Sequence, residues 1–102
     1  MKEIKEIVEE IRDELEGAKH YAEQAAKLKD NDMSRSETYA EMAKQELSHI
    51  DKLHGMAVKK IEAHKAAGHE APAAMQAVWD WEHDRMIKCT AKIRAMLEMA
   101  RG

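Results

Sequence analysis

The sequence predicts an all-α fold, an up-down-up bundle of three long antiparallel helices. Three observations lead there. Apolar residues recur at three- and four-residue steps through most of the chain, the spacing of amphipathic helices. The breaks in that pattern are two short stretches, Asp30-Asn31-Asp32 and the region from Gly68 to Pro72. The composition, 44% hydrophobic and 36% charged with eight Met, no Phe and one Pro, suits long helices and argues against a β-rich fold.

The first helix is expected at about 2–29, with Ile4, Ile7, Ile11, Leu15, Ala18, Ala22 and Ala25 as its apolar stripe. Asp30-Asn31-Asp32 should end it, since Asn tolerates the left-handed conformation. The second helix follows at about 34–67. Ser34-x-x-Glu37 has the form of a capping box, and Asp32 is the alternative cap. Its main stripe is Tyr39, Ala43, Leu47, Ile50, Ala57 and Ile61, with Met42, Leu53 and Met56 as a second stripe beside it. Gly68 is placed to stop this helix, and Pro72 suits the first turn of a third helix at about 72–100. Gly17 and Gly55 lie inside helical runs, each at a cost of about 1 kcal/mol relative to Ala, and either can mark close helix approach. Helices of this length are each roughly 40 to 50 Å long, and short connections force neighbours to run antiparallel. The whole chain, 1–102, reads as a single helical domain.

The net charge is −3, with acids and bases interspersed and no basic face or arm, which argues against nucleic-acid binding. The opening MKEIKEIVEEIRDELE is charged throughout and is neither a signal peptide nor a membrane span. The single Cys89 excludes an internal disulfide and fits a reducing compartment, so a cytoplasmic location is expected.

Chemistry concentrates on the second stripe of the second helix. Glu46 and His49 are three residues apart, so they project to neighbouring points of one surface and can grip a metal ion together. Chance placement of 14 Glu and 6 His yields about one such pair, so position carries the reading rather than the motif. The pair is interleaved with Met42, Ile50, Leu53 and Met56. Helical-wheel placement adds one inner carboxylate from each of the other helices. Glu14 falls beside Ile11, Leu15 and Ala18, and Glu82 lies among Met75, Trp79, Met86, Cys89 and Ile93. An ionised carboxylate on an apolar face is costly unless paired or metal-bound. The bland alternatives are a lysine partner for Glu46, a half-buried core position for His49, a rim position for Glu14, and Arg85 or Lys52 as partner of Glu82. His54 reads as a packed core histidine, His83 as a second-choice ligand, and Trp81 as a contact surface. Tyr21 and Tyr39 are candidates to hydrogen-bond the carboxylates.

Two segments, Glu14 to Tyr21 (ELEGAKHY) and Glu41 to Leu53 (EMAKQELSHIDKL), resemble the ferritin-like superfamily, in particular its rubrerythrin and encapsulated-ferritin branches. In those families a first-helix Glu, often followed by a Tyr, and a second-helix Glu-x-x-His bind iron. The resemblance implies Glu14, Glu46 and His49 as ligands here. It covers the first two helices. A second Glu-x-x-His is missing, because Arg85 stands three residues after Glu82, and no fourth helix follows. Either the site is reduced or two chains complete it.

Two functions are therefore expected to compete. One is a ferritin-like metal-binding protein, its metal held by Glu14, Glu46, His49 and, as a fourth ligand, Glu82, with ferroxidase activity. Hard carboxylates plus imidazole suit iron, with manganese or zinc as other occupants. The other is a non-catalytic structural or adaptor bundle of a phage or bacterial assembly with a degenerate metal site. A homodimer or higher even-numbered homo-oligomer is expected, because three helices alone leave the Met42, Leu53 and Met56 stripe wet.

Overall fold

The computed structural model describes residues 2–69 and 73–101. Three helices make up its regular structure: α1 (Lys2–Leu28), α2 (Met33–Ala66) and α3 (Ala73–Arg101), with no strand among the described residues. The expected place of Pro72 in the first turn of α3 lies outside them, as does the side chain of Met75.

Local chemistry accounts for the helix boundaries. The α1–α2 turn closes by hydrogen bonds from Asn31 N (3.1 Å) and Asp32 N (2.8 Å) to the Leu28 carbonyl. No non-glycine residue has positive φ among the described residues. Asn31 therefore turns the chain without the left-handed conformation anticipated for it, since those two bonds already satisfy the frayed end of α1. Of the two candidate caps, Asp32 takes the position, accepting from Arg35 N at 3.1 Å. Ser34 is already helical, and its carbonyl accepts from Thr38 Oγ1. At the far end Gly68 adopts φ +82°, which lets its own N–H and that of His69 reach back to Lys65 and His64.

α1 is the middle element. It packs along both α2 and α3, which barely meet each other. Its sequence explains this. Ile4, Ile7, Val8, Ile11, Leu15, Ala18, Ala22 and Ala25 are all buried, a stripe broad enough to face two partners. Full burial of each large aliphatic among them contributes about 1.5–3 kcal/mol. Toward α2 the contact is built from small residues. Ala18, Ala22, Ala25 and Ala43 have no exposed surface, and buried Ser36 donates to the Ala25 carbonyl at 2.6 Å. Toward α3 the contact is larger-grained, with Trp79, Ile93 and Leu97 buried.

Cross-helix contacts give the directions. Ser36 meets Ala25 and His49 meets Glu14, so α2 runs antiparallel to α1. Arg12 meets Glu82 and Lys29 Nζ meets the Met99 carbonyl, so α3 runs parallel to α1. The result is the expected up-down-up bundle, 56 × 17 × 17 Å. Among the described residues no helix is long and apolar enough to cross a membrane.

Candidate metal centre

Glu14, Glu46 and His49 come together at the α1–α2 seam. Each offers one ligand atom, and the three atoms lie within 4.8 Å of one another. Among the described residues they form the one group of three or more such side chains. The antiparallel register places Glu14 opposite the Glu46–His49 turn, and His49 Nδ1 stands 3.4 Å from Glu14 Oε2. Ligand atoms around a small cation with bonds of about 2.1 Å sit roughly 3 to 4 Å apart, so the group needs only a small contraction to enclose one ion.

Gly17 makes room for this arrangement. A Cβ built there would lie 3.2 Å from Glu46 Oε2 and 3.6 Å from Glu46 Cδ. The Glu46 carboxylate thus rests against the bare backbone of α1, in a cradle that any side chain would fill. Gly55, by contrast, has nothing within 4 Å of the equivalent position, so it marks no close approach.

The electrostatics follow from crowding. Glu46 holds its proton above the usual carboxylate range. The main cause is its hydrogen bond with the Glu14 carboxyl, followed by burial and by the like charge of Glu14, with His49 pulling the other way. Two crowded carboxyls beside an imidazole form a donor set whose like charges a cation can offset. Two hard oxygens and one nitrogen fit iron, manganese or zinc.

The flank around the site is open. The His49 side chain is 51% exposed and Glu14 28%. His49 is therefore a rim residue rather than the half-buried core histidine of the bland alternative. Met42 and Leu53 are half-buried and Met56 is 50% exposed on the same flank. Tyr21 and Tyr39 stack on each other farther along the seam, centroids 6.0 Å apart, with Arg35 over Tyr39.

Glu82 stands apart from this group. It is 7% exposed, and it faces α1 through the Arg12 guanidinium, with Arg85 Nη1 at 3.9 Å. Arg12 was not foreseen as its partner. The pair joins positions 70 residues apart, and only the parallel α1–α3 register reveals it. His54 and His83 also stand apart from the Glu14, Glu46 and His49 group. Their rings stack at 4.9 Å, and each lies 5.8 Å from the ring of Trp79, tying α2 to α3. No protein family, curated protein or solved structure matches this chain.

Proposed function

We propose that this protein is a ferritin-like metal-binding bundle in which Glu14, Glu46 and His49 hold iron. The observation that carries the reading is the cradle at Gly17, which keeps the Glu46 carboxylate against α1 and within reach of Glu14 and His49. Helix stability alone disfavours glycine at that position by about 1 kcal/mol. In this reading Glu14 and Glu46 supply negative charge and oxygen donors. Neutral His49 supplies the nitrogen. Bound there, ferrous ion would supply dioxygen-dependent oxidation chemistry, the activity of a ferroxidase. A second copy seated on the Met42, Leu53 and Met56 flank brings the same three residues, for a total of four carboxylates and two imidazoles.

Titration with ferrous ion under anaerobic conditions, followed by admission of air and near-ultraviolet absorbance, tests the proposal. Stoichiometric binding by the wild type and its loss in Glu46→Ala is the expected result. Absence of binding by the wild type overturns it.

One observation favours a second reading, a structural or adaptor bundle with a degenerate site. The contact of His49 with Glu14 at 3.4 Å is a complete ion pair once His49 is protonated and needs no metal. That reading expects the same melting midpoint with chelator, iron, manganese or zinc, whereas a ligand of the folded state raises the midpoint.

A further inference from the structure

The parallel register of α1 and α3 assembles a second surface, on the α3 side of α1. Arg12 and Lys19 are seven residues apart on α1, and Arg85 and Lys92 are seven apart on α3. All four line one groove of about 220 Å³, whose floor includes Leu15, Cys89, Ile93 and Met96. Each α3 cation is 73 positions beyond its α1 counterpart. That is close to the offset of 70 set by the Arg12–Glu82 and Lys29–Met99 contacts. The groove therefore has two levels, each with a cation on both walls, about 10 Å apart along the axis.

Glu82 neutralises part of the arginine level from below, yet the side chains of Arg12 and Arg85 remain 44% and 45% exposed. Glu16 is the single acid lining the groove, and Lys19 also stands 3.9 Å from exposed Glu23 at its edge. A chain of net charge −3 has thus gathered four cations along an apolar furrow. The sequence shows no basic face because the four belong to two helices far apart in the chain. Trp81, 62% exposed, extends the α3 wall by one turn, with the Arg85 guanidinium 6.0 Å from its ring centre.

We propose that this groove docks an acidic amphipathic helix of a partner protein, its apolar ridge on the floor and carboxylates repeating every seven residues along both edges. Two cations per level, two turns apart, match the flanking positions of a heptad helix. The same features argue against other occupants. A membrane surface is flat where this site is concave, and a nucleic-acid backbone has no apolar ridge for the floor. The acid-rich side of α1 in a second copy is no such occupant, since it bears none of the exposed large hydrophobics, which lie on α2 and α3.

The test uses the whole protein and two labelled three-heptad peptides with the same leucine ridge, one flanked by Glu and one by Lys, followed by fluorescence anisotropy at low and high salt. The Glu peptide is expected to bind at least about tenfold more tightly than the Lys peptide, with salt weakening it. Lys19→Glu/Lys92→Glu is expected to reverse the preference. It leaves the Glu82 pairing intact but breaks the exposed Lys19–Glu23 pair, and an unchanged far-ultraviolet circular dichroism spectrum verifies its fold. Equal binding of both peptides, binding of neither, or indifference to the double reversal overturns the proposal. So does Lys19/Lys92-dependent binding of phosphatidylglycerol vesicles or single-stranded RNA in place of the peptide, or a fall in the protein's own solution mass on reversal.

Discussion

Arg12 of α1 holds the carboxylate of Glu82 of α3 across the bundle, and Glu82 is the one buried acid among the described residues. A carboxylate in that position is stable only while a cation faces it. Arg12→Ala leaves Arg85, at 3.9 Å, as its remaining partner. The variant should lose about 1–3 kcal/mol of stability, below the value for a fully buried pair because Arg12 is half exposed. Arg12→Met/Glu82→Met should recover most of that loss. Denaturant midpoints of the three proteins check this, and a double variant no better than Arg12→Ala refutes it.

Gly17 separates folding from binding. Its replacement by Ala removes a mid-helix glycine, which alone favours the helix by about 1 kcal/mol. The added Cβ, 3.2 Å from Glu46 Oε2, forces the carboxylate to move away from α1 by a few tenths of an ångström. Gly17→Ala should therefore melt at or above the wild-type temperature without metal and bind ferrous or zinc ion at least about tenfold more weakly. Gly55→Ala, with open space at its Cβ, should gain stability and leave metal affinity unchanged. Calorimetric titration of both variants distinguishes the two glycines.

His54 makes stability depend on pH. Burial first, and the neighbouring His83 second, lower its proton affinity from the usual value of 6.5, while Asp51 opposes them. The unfolded chain therefore takes up the proton before the folded one. Stability is highest above pH 6.5 and falls as pH drops through the lowered folded value, below which this contribution is flat. His54→Gln should flatten the slope below pH 6.5 in urea midpoints measured without metal. An unchanged slope rules out His54 as its source.

The flank beside the proposed metal centre should set the oligomeric state. Met56 is 50% exposed, beside half-buried Met42 and Leu53, and a second copy would bury all three. Met56→Glu should lower the solution mass in sedimentation, and ferrous or zinc ion should raise that of the wild type. A wild-type monomer in both conditions refutes the two-chain site.

The sequence made most of this architecture legible, for reasons visible in particular residues. Ile4 through Ala25 follow a helical period so regular that the buried face of α1 can be read directly. Glu14, Glu46 and His49 could be placed together because α1 and α2 are joined by a turn too short to permit any arrangement but an antiparallel pair. The surroundings of Glu82 were out of reach. Its partner Arg12 depends on the axial offset of two helices that are not consecutive, and no local pattern encodes that offset. The role of Gly17 was equally hidden, since a glycine in a helix announces a missing side chain without saying which neighbour uses the space.

Because α1 packs along both other helices while α2 and α3 meet only around His54, His83 and Trp79, the three do not share one fate. The α1–α2 pair is a local hairpin with a tightly packed small-residue seam, and it contains Glu14, Glu46 and His49 in full. α3 is anchored mainly to α1. Partial opening should therefore release α3 first, as a separate cooperative unit, while the hairpin persists. Amide exchange would then divide the protein between α2 and α3. Amides of α3 would exchange through a low-energy opening that metal leaves nearly untouched, whereas those of α1 and α2 would slow in proportion to the metal bound.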